Sequence, residues 1–241
     1  MAKEGLSEIW VYLSASPLTG LTITLLAYSF SHRIYQASHN NPLLHPVLIS
    51  ATLLISFLLI TDTSYRDYFK GSQYIHFILG PATVALAIPM YQQISKIKQL
   101  WLPITVTMIS GVSVAAISSI LISRVLGASI ETQMSLAPKS VTAPVAMGIS
   151  EKIGGLPSLT AALVVITGIL GAILGTKILH ALKLKDHSIK GIAMGITAHG
   201  IGTARAFQVS SEMGAFSGLA MALATFTTAF ILPYLVGWLD L

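Results

Sequence analysis

Stretches free of Asp, Glu, Lys and Arg divide the chain into six long apolar windows: Ile9–His32, Ile34–Thr61, Gly71–Ser95, Gln99–Ser123, Ile153–Thr176 and Met213–Leu239. Each has at least 24 residues, and a helical crossing of a bilayer needs roughly 20. All six therefore predict crossing helices. Two further windows are short, Ser140–Ser150 with 11 residues and Gly191–Ala204 with 14, a length typical of re-entrant or interrupted segments. Lys139 bounds the first and Arg205 the second. Extending either to full length draws a cation into the apolar zone, at about 2.5–3.5 kcal/mol against about 0.3–0.6 kcal/mol returned per leucine. The pattern predicts an all-α polytopic membrane protein of about eight hydrophobic segments, several of them broken or re-entrant.

Helix-breaking residues mark the same places and one more: GPATVALAIP (80–89), APKSVTAPVAMG (137–148) and GITAHGIGTARAF (195–207). Proline removes a backbone donor and glycine weakens a helix, so the freed polar groups need partners in protein or in a wet cavity. Such breaks are usual where transporters hold substrate. SASPLTG (14–20) resembles SLAPKSV (135–141), and GPAT (80–83) resembles GIGT (200–203). These short matches suggest a two-fold internal repeat, parallel or inverted.

Composition agrees with the windows. Of 241 residues 54% are hydrophobic and 10% charged, with a mean hydropathy of +0.76; ordinary soluble domains carry about 25% charged residues. The net charge of +5 would point to nucleic acid in a soluble protein. Here the basic residues gather in connectors such as SKIKQ (95–99) and KLKDHSIK (183–190), as topology signals do, so no nucleic-acid partner is expected. With no cysteine there is neither disulfide nor thiolate chemistry. The first residues, MAKEGLSEIW, lack the pattern of a cleaved secretory signal, so the first apolar segment is expected to be retained.

Lys139 has two readings: a lysine snorkelling to the headgroups, or a cation in a polar cavity with Ser140 and Thr142, where broken-helix amides help to bind a small anion. The second is favoured. Arg205 is either a loop arginine or, among Thr197, His199 and Thr203, a bidentate carboxylate clamp. His199 is a candidate for proton coupling, or a structural hydrogen-bonder. Thr83, between Pro81 and Pro89, either offers a hydroxyl to the pocket or bonds its own helix. Glu151 and Glu212 flank the short segments and are candidates to pair with the cations or to carry protons; Glu151, beside Lys152, reads better as a solvated loop residue. His180, Asp186 and His187 lack metal-ligand spacing, and no metal or cofactor is expected. GVSV (111–114) with His199 faintly suggests an intramembrane serine protease, but serine among small residues more often packs helices. HExxH, Walker and dinucleotide motifs are absent from the sequence, and no enzyme activity is expected.

LGPATVALAIPMY (79–91), APKSVTAPVAMGISEKIGGLPSLTA (137–161), TGILGAILG (167–175) and KGIAMGITAHGIGTARAF (190–207) resemble the LrgB/CidB family of bacterial membrane proteins, most closely its enterobacterial branch. The similarity takes in NPLLHPVLIS (41–50) and nearly the whole chain, implying one LrgB-like transmembrane domain over residues 1–241 in the bacterial inner membrane. Two functions are implied. One is an antiholin-like or holin-like regulator of murein hydrolase activity, acting with a small LrgA/CidA-type membrane protein. The other is transport, since a chloroplast relative is a glycolate/glycerate transporter and bacterial relatives are linked to pyruvate uptake. The residues favour transport of a small monocarboxylate: Lys139 and Arg205 orient the carboxylate, Ser140, Thr142, Thr83 and Thr203 bond its hydroxyl or keto oxygen, and His199 carries a proton. A homodimer is a further expectation.

Overall fold

The computed structural model describes residues 16–38, 41 and 44–238, apart from the side chains of Pro17, His76 and Thr83. Among the described residues the chain is all-helical, and it divides into two compact units, one ending at Ala85 and one beginning at Leu86. Among the described residues four helical stretches are long and apolar enough to cross a membrane: Tyr65–Gln92, Trp101–Val125, Pro157–Ala181 and Ser211–Trp238.

The first unit holds α1 (Pro17–Ala37), α2 (Pro46–Ile60) and α3 (Tyr65–Ala85). The charge-free windows place a boundary at Arg33, and the structure moves it. The helix of α1 runs unbroken through Arg33 to Ala37, and α2 starts only at Pro46. An exposed arginine raises the cost of burial in lipid without disturbing backbone hydrogen bonds, so it does not end a helix; a proline, which fits the first turn, does start one. Packing of α1 on α3 is close at Gly20, where a β-carbon would overlap the Tyr68 carbonyl oxygen. One turn on, the Thr24 and Tyr68 hydroxyls share a hydrogen bond of 2.7 Å. The predicted break at 80–89 is where the units divide: Pro81 lies inside α3, and the helix is interrupted at Leu86.

The second unit contains α4 (Ala87–Gln92), α5 (Ile94–Gln99), α6 (Trp101–Val125), α7 (Ile130–Leu136), α8 (Ala143–Lys152), α9 (Pro157–Ala181), α10 (His187–Val209) and α11 (Ser211–Trp238). The stretch α10 doubles back on itself. His199 has φ 39° and ψ −133°, and His187 Nδ1 lies 2.7 Å from the Ser210 hydroxyl, whereas a straight helix of this length would hold those ends about 33 Å apart. A β-carbon on Gly202 would stand 3.0 Å from the Met194 carbonyl oxygen, eight residues earlier. Residues 187–198 are thus the entering limb of a hairpin and residues 200–209 its returning limb.

The stretch from α7 to α8 is a second hairpin. Its two limbs are clasped by buried Thr160 of α9, whose hydroxyl lies 3.0 Å from the Ser135 carbonyl and 2.7 Å from the Ser150 hydroxyl. The Ser135 hydroxyl in turn accepts the Leu156 amide at 2.8 Å. The tip is residues 137–142, between the two short helices.

One buried face of α6 shows how the hairpins are arranged. Ile104, Met108 and Val112 pack with Ile192 and Ile196 of the α10 hairpin and with Phe216, Ala220 and Ala224 of α11. Ala116 and Ile120, continuing the same face, pack with Met134, Val141 and Ile149 of the α7–α8 hairpin and with Leu232 and Val236. Residues four apart share a helix face, so the hairpins approach from opposite ends of the α6–α11 pair. They meet where Pro138, Val141, Ile196 and Thr228 surround a void of about 10 Å³, barely room for one water.

Candidate functional site

Two of the three helix breaks predicted from the sequence, those at 137–148 and 195–207, come together in the second unit. The α7–α8 tip contains Pro138, Lys139 and Ser140, and backbone bonds from Lys139 to Leu136 and from Val141 to Pro138 form its tight turns. Pro144 stands in the first turn of α8, where proline is tolerated, and Thr142 is its N-cap without a side-chain cap bond. The first amides of α8 therefore have no intrahelical acceptor and face the tip.

Beside this tip lies a cavity of about 510 Å³. Lys139 and Ser140 line it from one hairpin, Ala193, Met194 and Thr197 from the entering limb of the other, and Thr167 with the face of α9 below it. Lys139 is half-buried, and among the described residues no carboxylate makes an ion pair with its ammonium. A cation without a carboxylate partner in a largely apolar cavity is suited to an anion.

The other predicted residues are distributed differently. Thr203 is buried, its hydroxyl donating to the His199 carbonyl at 2.8 Å and sharing a bond of 2.9 Å with Ser217. Arg205 lies on the returning limb, where its guanidinium donates to Gln208 at 2.8 Å. Neither is among the residues lining the cavity. His199 is buried at the hairpin tip, and its Nε2–H donates to the Val164 carbonyl at 3.0 Å. Thr142 caps α8 at the edge of the tip and does not line the cavity. The Thr83 side chain lies outside the described residues.

Thr167 and the glycines of TGILGAILG, which the sequence marks only through the family resemblance, belong to the site as well. Gly168, Gly171 and Gly175 face the entering limb. A β-carbon on Gly168 would stand 2.7 Å from the His199 ring, one on Gly171 would overlap Ala198, and one on Gly175 would overlap Met194. The spacing of small residues three and four apart is the signal that finds such a contact.

Glu212 pairs with a different cation from either of those expected. Lys96 Nζ lies 2.7 Å from Glu212 and 3.2 Å from Asp186, and 5.7 Å above the Phe216 ring. Asp186 also caps α10, accepting from the Ser188 hydroxyl and from the amides of Ser188 at 2.7 Å and Ile189 at 3.1 Å. The Ser188 hydroxyl first, then the Ile189 amide, Lys96 and the Ser188 amide, hold the Asp186 carboxyl far below the usual carboxylate range. Glu212, followed by Asp186, raises the pKa of Lys96. Together with the His187–Ser210 bond, these groups tie the mouth of the α10 hairpin.

Comparison with known proteins covers almost all of this architecture. Residues 24–238 match the model of the LrgB-like family. The chain is 35% identical over 225 residues to the holin-like protein CidB of Staphylococcus epidermidis, covering 93% of this chain and 97% of that one. It is 33% identical over 222 residues to the uncharacterized protein YwbG of Bacillus subtilis, covering 92% and 98%. The holin-like protein CidB of Staphylococcus aureus is 33% identical over 216 residues, covering 90% and 94%. No solved structure matches the chain.

Proposed function

The chain belongs to the LrgB-like family of membrane proteins, and on that premise we propose that it is a non-enzymatic, multi-pass transporter of small monocarboxylates of the pyruvate, glycolate and glycerate class in the bacterial inner membrane. The observation that carries this reading is the half-buried Lys139 lining a 510 Å³ cavity at the meeting of two opposed hairpin tips. Lys139 attracts the carboxylate, and Ser140 and Thr197 bond its second oxygen function. Thr203 holds the tip of the α10 hairpin to α11. His199 is the proton-coupling candidate: with Nε2–H committed to Val164, Nδ1 is the atom that takes the proton.

In this reading residues 1–241 form one LrgB-like domain of eight hydrophobic segments, six crossings and two half-depth hairpins. The entering limb of α10 rises about 18 Å, somewhat more than half of a hydrocarbon core of about 30 Å. Alternating access follows from moving the hairpin pair against the long helices.

The names of the relatives favour a second reading more directly than they favour transport. Two of them are called holin-like, which supports a regulator of murein hydrolase activity acting with an LrgA/CidA-type partner, in which the same helices form a protein interface or pore. Counterflow in proteoliposomes separates the readings. Transport predicts saturable exchange of pyruvate, glycolate or glycerate that Lys139→Ala reduces by at least tenfold. Wild-type protein that exchanges none of the three leaves the holin-like reading in its place.

A further inference from the structure

We propose that Thr197 makes the site selective for hydroxy acids over oxo acids of the same carbon skeleton, by offering the substrate a hydrogen-bond acceptor and no donor. The inference rests on the reading of Lys139 as a carboxylate site, and it concerns the second oxygen function of the acid held there.

Lys139, Ser140, Thr167 and Thr197 supply the polar groups of the cavity, and they differ in where their protons go. The Thr197 hydroxyl donates to the Ala193 carbonyl, one turn earlier on the entering limb, at 2.7 Å. A hydroxyl has a single proton and two lone pairs, so what Thr197 turns toward the cavity is lone pairs alone. Thr197 is exposed, and they are open to a ligand. Its branched β-carbon restricts χ1 within a helix, and turning the proton into the cavity would break the bond to Ala193. The other groups are uncommitted. Among the described residues the Ser140 and Thr167 hydroxyls have no hydrogen bond, and the Lys139 ammonium has neither hydrogen bond nor ion pair. Ser140 also borders the small void that Ile196 lines, which places it level with Thr197, near the hairpin tips.

The site thus offers three donors and one hydroxyl that can only accept. An ionised oxo acid such as pyruvate has acceptors at every oxygen and no donor. Whichever way round it lies, Lys139, Ser140 and Thr167 can satisfy it, while Thr197 is left facing a lone pair or a methyl group. The hydroxyl of a hydroxy acid both accepts and donates. It takes a bond from Ser140 and gives one to Thr197, while Lys139 and Thr167 hold the carboxylate. A site built to bond a substrate hydroxyl discriminates against the analogue that lacks it, because its own polar group is then left unpaired. For one neutral hydrogen bond the difference is about fivefold in affinity. Ser140 cannot make this distinction, because a hydroxyl free to turn serves a keto oxygen and a hydroxyl equally well.

The experiment sets matched pairs against each other, lactate with pyruvate and 2-hydroxybutanoate with 2-oxobutanoate. Each acid is measured as a competitor of counterflow and by equilibrium binding to the purified protein. In wild type the hydroxy acid of each pair is expected to bind about fivefold tighter. Thr197→Val keeps the shape and removes the oxygen, and should bring both ratios close to one, whereas Thr197→Ser should keep them. Thr197 is exposed, so the valine variant is expected to fold, which its unfolding midpoint checks. Ser140→Ala should weaken both members of a pair alike and leave the ratio as it was. A wild-type ratio near one or in favour of the oxo acid, or a preference that Thr197→Val leaves intact, overturns the inference while transport stands. The expected preference in binding, without exchange, supports the inference and ends the transport reading. Absence of both binding and exchange overturns both.

Discussion

Adding one methyl group at Gly195 tests the hairpin architecture directly. The entering limb of α10 lies against α11 through Gly191 and Gly195, one turn apart. A β-carbon at 195 would overlap the Ser217 carbonyl oxygen and stand 2.8 Å from the Ala220 β-carbon and 3.0 Å from the Met221 amide nitrogen. Ordinary contact needs about 3.4–4 Å, so the limb must retreat by roughly 1 Å or more from a backbone that has no flexible end to yield. Overpacking of this kind costs about 1–3 kcal/mol. Gly148, inside α8, has nothing within 4 Å of the corresponding position, and there alanine gains about 0.5–1 kcal/mol from helix propensity alone. The same substitution is therefore expected to have opposite signs at the two sites. Thermal unfolding of both variants in one detergent should place Gly195→Ala below wild type and Gly148→Ala at or above it. At roughly 2–4 °C per kcal/mol for a chain of this size, the two should differ by several degrees. A Gly195→Ala protein as stable as Gly148→Ala would mean that the limb does not lie against α11, and the fold-back at His199 would fall with it.

Thr160→Val keeps the shape of the clasp but removes the hydroxyl that reaches both limbs of the α7–α8 hairpin; a loss of about 1–3 kcal/mol is expected, read as a lower unfolding midpoint, and no change would show that the clasp holds nothing. The Lys96 node should have a wide pH plateau. Because the Asp186 carboxyl is depressed, its contribution is complete above the ordinary carboxylate range and is lost as pH falls through its lowered value. Because Lys96 is raised above 10.5, its contribution is complete below that pH and is lost only as pH rises through the raised value; a stability profile that slopes between about pH 5 and 9 in wild type, but not in Lys96→Met, contradicts this. These side chains are about a third or more exposed, so Lys96→Met should cost no more than about 0.2–1 kcal/mol per pair lost, less in high salt, and a larger loss independent of salt would count against an exposed node. Gly168→Ala presses on the His199 ring, 2.7 Å from the new carbon, and should slow exchange of a three-carbon acid more than Gly148→Ala does; equal rates would show that the ring position is immaterial.

Hydropathy and helix breakers by themselves determined a great deal of this protein. An all-helical, membrane-type chain was readable from the long charge-free windows, because lipid penalises charge wherever it lies along the sequence. The interruptions at 137–142 and at His199 were readable from proline and glycine, because those residues act on their own backbone. Lys139 stood out for the same reason, as a cation next to such a break. Helix ends were less legible: Arg33 seemed a boundary and is an exposed residue within α1. Only the tertiary structure decided which polar residues meet. Fold-back at a positive φ carried Arg205 away along the returning limb and turned Thr203 toward Ser217, while Thr167, which no local signal assigns to a site, came to the cavity that Lys139 lines. Glu212 found Lys96, 116 residues away. Partners so far apart are chosen by how hairpins pack against long helices, and packing depends on three-dimensional shape that local periodicity does not encode.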